Sequence, residues 1–400
     1  MKLKILSNFP LTLHHKGTVD RDNPSILYDF RGKAEGCLSA SQSLPSSLQI
    51  FDGVSTRTIE LQGSSTIEHT ILSERITKLP ESYEKALYAV HSPAYVGEIQ
   101  RICEELSAAG VNLDFGCEAD LWCGTYQAAL SSLYASLQSV DLVLDSHPQE
   151  LRTFANVWPP GHHAEGKGAD GTSDIAMGFC YFSNAAVAAW YARSLGLRTM
   201  VIDIDNHSGN GTRKALMNQE NLSVVDFVYV SPFDAGRGGY LDGFWNPKLQ
   251  KVVGFAREYP YRNNDEARGF KKHPVHTAQN ILSLEFLGKE FRGGHSELEP
   301  ASNHLEIMTR YSNEGLPWIV ELNPDLIIWS IGLDAAADDP LGALGFLPAT
   351  MYDIIRVTSD ALPQTKMTGI LEGGYKPDNW SRYLWPALHG LLNADCGPCR

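Results

Sequence analysis

Between Val201 and Thr212 the chain reads VIDIDNHSGNGT. An apolar run carries Asp203 and Asp205, and His207 follows two residues later. In an extended chain alternate side chains point the same way, so these three share one side as the strand runs out. Three further apolar runs end on polar groups. TFANVW leads to PPGHHAEG with His162 and His163, DLIIWSIGL leads to Asp334, and TKMTGIL leads to LEGGYK with Tyr375. Asp205, His207 and Asp334 offer two carboxylates and one imidazole, a three-ligand set that leaves a position open, as a catalytic Zn²⁺ requires. Iron and manganese also accept oxygen-rich ligands, so the residue types specify a metal more firmly than its identity. A histidine beside such a metal can take a proton from water and return it to a departing amine. Asp203 suits the N–H of one imidazole, and Asn210 suits the other without adding charge. Tyr375, on a Gly-Gly turn, can donate to a developing oxyanion. Each piece alone has a plainer reading: a capped turn for Asp-x-His, a helix N-cap for Asp334, a surface His pair, a structural Tyr. Convergence of four strand ends favours a site.

The elements that must position these groups alternate. TFANVW, RTMVIDID, SVVDFVYVS, DLIIWSIGLD and TKMTGILEGG read as strands; FSNAAVAAWYARSLG, NGTRKALMN and TMYDIIRVTSDAL read as helices between them. Residues 80–110 have helical periodicity around a short turn at HSPAY, and residues 125–140 form another helix. Near-continuous apolar strands separated by helices predict an α/β fold, a parallel sheet with helices on both faces. In such sheets ligands bind beyond the carboxyl ends of the strands, where the polar groups lie. With no repeat and no clear linker, residues 1–400 are expected to form one domain. The first 80 residues are hard to read. The segment 240–315 is polar, rich in Gly, Asn and Lys, and is expected to be a long surface excursion.

A formal charge of −14 disfavours nonspecific nucleic-acid binding and suits a basic substrate such as a lysine-rich protein. No run of 18 apolar residues predicts a membrane span, and the start is too broken for a signal peptide, so the expected location is cytoplasmic. Seven scattered cysteines do not suggest a disulfide framework. The tail CGPC, Cys396 to Cys399, has the spacing of a redox motif but lacks the strand before it and the helix after it.

Taken together, VHSPAYV, PPGHHA, GFCYFSNAAVAA, DIDNHSGNGT, LDAAADDPLGAL and LEGGY resemble the histone deacetylase family, which includes acetylpolyamine amidohydrolases and acetoin-utilisation proteins. They occur in the family's order over about residues 85–235 and 320–392. The resemblance implies the arginase-like α/β fold and hydrolysis of an N-acyl amide. It implies Zn²⁺ held by Asp205, His207 and Asp334, with His162 and His163 as the general base/acid pair and Tyr375 polarising the acyl carbonyl. Gly178 and Phe179 of GFCYF would line the acyl tunnel, with Tyr240 as its opposite wall. A monovalent cation, usually K⁺, would sit near Asp203, Asp205, His207 and Ser231. Leu341, seven residues after Asp334, falls where polyamine-selective relatives carry Glu and many protein deacylases an apolar residue, and Asp120 would bind peptide backbone at the rim. The implied partner is an acetylated protein or peptide, histones among the candidates, with no direct nucleic-acid or membrane binding. The rivals are a small-molecule amidohydrolase and a non-catalytic acyl-lysine scaffold. Dimanganese chemistry needs further acids, which Asn206 and Ser208 do not supply. The sequence departs from the family at Ser208, usually His, and at Ser183 and Lys376, usually Asn.

Overall fold

Met200 and Ile202 of the strand Thr199–Asp203 pack into one hydrophobic core and Val201 into another. Alternate side chains of a strand point to opposite faces, so this strand is apolar on both. In the computed structural model it lies inside a nine-stranded sheet with a core on each face. The structure describes residues 1–8, 18–19, 27–28, 56–60, 65–72, 76–109, 113–114, 119–121, 123–166, 174, 176–230, 243–246, 251–254, 279–287, 302–339, 342, 344–376 and 380–393.

The strands are β1 (Lys2–Ser7), β2 (Thr56–Glu60), β3 (Thr66–Ile71), β4 (Leu151–Asn156), β5 (Thr199–Asp203), β6 (Leu222–Val230), β7 (Ile281–Leu287), β8 (Leu326–Ile331) and β9 (Lys366–Leu371). Their order across the sheet is β7-β6-β5-β8-β9-β4-β1-β3-β2. Every neighbouring pair is parallel except β3 and β2 at one edge. This is the arginase-like α/β arrangement expected. Helices α1 (Glu81–Val90), α2 (Pro93–Ala109), α3 (Thr125–Leu144), α4 (Asn184–Ser194) and α5 (Asn210–Leu216) supply side chains to the core that contains Val201. The other core takes side chains from α6 (His304–Arg310), α7 (Leu316–Leu322), α8 (Pro348–Ala361) and α9 (Trp385–Leu391).

The structure corrects one expectation and supplies a strand where the sequence was hard to read. The segment 240–315 is not wholly a surface excursion. Its ILSLEFL forms edge strand β7, with Ile281, Leu282, Leu284 and Phe286 buried, and Ile307 and Tyr311 beyond it join the core. The polar composition around it hides a seven-residue apolar strand. At the other end, KLKILS forms β1, seated between β4 and β3 with Leu3 and Ile5 fully buried. Two lysines in six residues mask it, and each pairs with Glu68 of β3. Strands β4, β9, β8 and β5 are consecutive in the sheet, so the four polar strand ends lie side by side.

Candidate active site

Asp203 ends β5, level with Asp226 of β6 and Ser330 of β8. Its Oδ1 accepts the backbone N–H of Asp205 at 3.1 Å, and Asp205 Oδ1 accepts that of His207 at 2.9 Å. The turn is thus tied by its own carboxylates, as Asp side chains commonly do where a chain leaves regular structure. Nδ1 of His207 lies 3.1 Å from Asp334 Oδ2 and 3.3 Å from Asp205 Oδ1. Asp334 follows β8, and its Oδ1 accepts the N–H of Asn206 at 3.2 Å. One ligand atom from each of Asp205, His207 and Asp334 lies within 4.8 Å of the other two.

This donor set fits a divalent cation. Asp205 and Asp334 are fully buried, and among the described residues the basic groups within 4.0 Å of them are the imidazoles of His162 and His207. Burial pushes the Asp334 carboxyl up, and the Asp205 carboxylate beside it adds to the shift. A bound cation relieves both effects, and two oxygens with one imidazole nitrogen suit Zn²⁺.

His162 and His163 follow β4, with ring centroids 4.0 Å apart. Nδ1 of His162 lies 3.1 Å from Asp203 Oδ2, and Nδ1 of His163 lies 2.6 Å from Asn210 Oδ1. Each Nδ1 therefore carries the proton it donates, and each Nε2 is left for the site. Burial lowers the pKa of His162, but the Asp205 and Asp203 carboxylates outweigh it and hold it well above the usual value. Burial depresses His163, and the charges of His162 and His207 take it well below. The backbone here is clamped from two sides. Glu372 Oε2 accepts the N–H groups of Gly161 at 2.7 Å and His162 at 3.2 Å, while its Oε1 accepts Ser330 Oγ–H at 3.0 Å. From the other side, Gly211 and Thr212 at the start of α5 donate to the His162 carbonyl at 2.9 and 3.1 Å.

Tyr375 follows β9, held by a 2.9 Å bond from its N–H to Asp339 Oδ2. Burial pushes the phenol well above its usual pKa, and Asp334 and Asp205 add to this, so it remains a donor. The preceding turn needs glycine: a Cβ at Gly373 would come within 2.3 Å of Asp334 Oδ2. Phe179 stands beside this group in the left-handed region, φ +66°. Its ring centroid is 5.9 Å from that of Tyr375 and 6.3 Å from that of Trp158. Such a conformation in a bulky residue is characteristic of functional sites. Gly178 before it has φ +52°, and a Cβ there would lie 2.5 Å from His163 Cδ2.

The family described as "Histone deacetylase domain" matches residues 55–239 and 259–391. The chain belongs to the histone deacetylase family. It is 28% identical over 335 residues to human "Polyamine deacetylase HDAC10", covering 82% of this chain and 43% of that protein. With rice "Histone deacetylase 10, chloroplastic" it shares 30% identity over 312 residues, 76% of this chain and 59% of that one. Against "Histone deacetylase 6" of Caenorhabditis elegans the figures are 28% over 253 residues, 63% of this chain and 22% of that one. These curated relatives are longer, and the matched region spans less than two thirds of each. Among solved structures, the "HDA15 HD domain" superposes with a TM-score of 0.65 at 20% identity, covering 100% of this chain and 92% of that one, a likeness of fold.

Of the residues the histone deacetylase resemblance singles out, His162, His163, Asp203, Asp205, His207, Asn210, Asp334 and Tyr375 lie around these four strand ends, with Gly178 and Phe179 against them. Ser231, Tyr240, Leu341, the side chain of Asp120 and the CGPC tail lie outside the described residues. Sequence reading did not assign Glu372, although a Glu directly after an apolar strand is a signal. It also missed the partners of Ser208. Ser208 Oγ donates to Asp226 Oδ2 at 2.8 Å, and Arg213 Nη1 reaches both groups at 3.3 and 3.0 Å, all three buried. Ser208, where the sequence departs from the family, is thus held by a buried ion pair. Among the described residues no helix is long and apolar enough to cross a membrane.

Proposed function

We propose that this chain is a zinc-dependent deacylase that hydrolyses N-acetyl-lysine in proteins. The observation that supports the reading most is the juxtaposition of Asp205, His207 and Asp334, within 4.8 Å of one another, with two buried histidines whose Nδ1 atoms are already engaged. When bound, zinc held by those three side chains supplies Lewis-acid polarisation of the acyl carbonyl and a more acidic water. The remaining work falls to the chain's own residues. His163, neutral, has Nε2 free to take a proton from the attacking water. His162, held cationic by Asp203 and Asp205, is suited to stabilise the developing negative charge, and a histidine of the pair returns a proton to the departing amine. Tyr375 donates its phenol hydrogen to the carbonyl oxygen as charge develops there. Phe179 flanks the lysine stem and excludes water. The reading includes a structural K⁺ beside Asp203, supported by the family resemblance alone.

A non-catalytic scaffold has no need of this complete polar set. A small-molecule amidohydrolase remains the second reading, favoured by the match to human "Polyamine deacetylase HDAC10" over 82% of this chain. The test is kcat/KM for an acetyl-lysine peptide against acetylspermidine. A clear preference for the peptide is expected; preference for the polyamine would assign the second reading.

A further inference from the structure

Asn210 presents an amide to His163, and an amide has two faces of opposite sense. Its oxygen accepts the His163 Nδ1–H; its NH₂, turned the other way round, would offer that ring a donor and impose the other tautomer. What decides the orientation lies behind Asn210. Its Nδ2 donates to Glu165 Oε1 at 3.0 Å and to Met177 Sδ at 3.3 Å. A carboxylate only accepts, and a thioether accepts weakly and never donates. Rotating the amide by half a turn would set Oδ1 against both and leave the NH₂ facing the imidazole. Glu165 is itself fixed, with Oε2 3.0 Å from Lys214 Nζ, and both side chains are about nine-tenths buried. Lys214 lies one helical turn after Asn210 in α5, so the helix that presents the amide also presents the cation that anchors its partner.

We propose that Glu165, anchored by Lys214, is a positioning residue that fixes the Asn210 amide and thereby keeps His163 in the tautomer with hydrogen on Nδ1 and a bare Nε2. The inference deepens the deacylase reading and rests on it for the meaning of the bare Nε2, though the tautomer itself does not depend on any substrate. Glu165→Gln keeps shape but supplies an amide that can accept or donate, so the Asn210 amide is released to turn.

The experiment is long-range ¹H–¹⁵N correlation on the metal-loaded, ¹⁵N-histidine-labelled protein, with His163 assigned by difference from His163→Gln, run alongside kcat and KM for an acetyl-lysine peptide. Wild type should show His163 as the Nδ1–H form. Glu165→Gln should show a mixture with the Nε2–H form, and kcat should fall about tenfold with KM unchanged, the scale on which partners behind an active group act. Glu165→Asp, which keeps the accepting carboxylate, should recover part of kcat. The double variant Glu165→Gln with Asn210→Asp replaces the reversible amide by a group that only accepts, and should return His163 to the Nδ1–H form. An unchanged His163 spectrum in Glu165→Gln, with or without loss of kcat, would overturn the proposal. If Glu165→Gln does not fold, a double variant that folds with His163 in the Nε2–H form would overturn it equally. Inactivity of the wild type on every acyl substrate would count against the deacylase reading alone, because the spectrum is read without turnover.

Discussion

Two imidazolium rings 4.0 Å apart repel, and the pair of histidines after β4 avoids this by having unlike partners. His162 faces the carboxylate of Asp203, His163 the neutral amide of Asn210. The environments push the two pKa values apart, one above and one below the usual imidazole value, which is how a single fold assigns different proton roles to like groups. The consequence for pH has a definite sign. His163 titrates below 6.5, so its basic form is complete at neutral pH and is lost only as the medium becomes more acid. A cation in the Asp205/His207/Asp334 set adds positive charge and moves His163 further the same way. The acid limb of kcat/KM should therefore lie below pH 6.5; an acid limb centred above 6.5 would remove His163 from the role of base. Tyr375 is tested separately. Tyr375→Phe keeps the ring that packs beside Phe179 and deletes only the donor. Turnover should fall about 10²-fold or more, the scale of losing one oxyanion donor, with metal content and thermal stability unchanged. A variant that retained wild-type turnover would show that the hydroxyl does not meet the oxyanion.

At the scale of elements, the site depends on how the loop after β5 is held against β6. Arg213 and Asp226 are both buried, 3.0 Å apart, and the carboxylate also accepts from Ser208 beside His207. Breaking a buried ion pair by removing one partner costs about 3–5 kcal/mol. Asp226→Asn should therefore lower stability by about that much in denaturant titration. The double replacement Arg213→Met with Asp226→Leu should be milder than either single change, and additive losses would mean the two groups do not act as a pair. Much of this architecture was legible in the sequence. Strands β5 and β8 are runs largely apolar on both faces, and a buried parallel strand has little else to signal it; β4, β6 and β9 were legible from the apolar stretches that include or continue them, TFANVW, SVVDFVYVS and TKMTGIL. The polar ends of β4, β5, β8 and β9 announced themselves by residue type. What escaped was of two kinds. Strand β1 carries Lys2 and Lys4 among its six residues, which breaks its apolar run, and β7 lies within a polar segment that masks the apolar run it contains. Partners that meet only through the fold, such as Asp226 with Ser208, have no local pattern, and Glu372, though its place after an apolar strand is a signal, gives no hint that it meets Gly161.

At the scale of the whole molecule, strand order turns four separate sequence motifs into one site. Chain order places β4 before β5 and β8 before β9, yet across the sheet they stand as β5-β8-β9-β4. His162 and His163, Asp205 and His207, Asp334 and Tyr375 are therefore neighbours despite lying far apart along the chain. A metal bound between the loops after β5 and β8 would also tie them together, so metal and activity should be gained and lost as one. The most direct measurement is turnover of an acetyl-lysine peptide by protein stripped with a chelator and then restored with one equivalent of Zn²⁺. Stripping should abolish turnover and one Zn²⁺ per chain should restore it; full activity in metal-free protein would exclude a metal from the reaction.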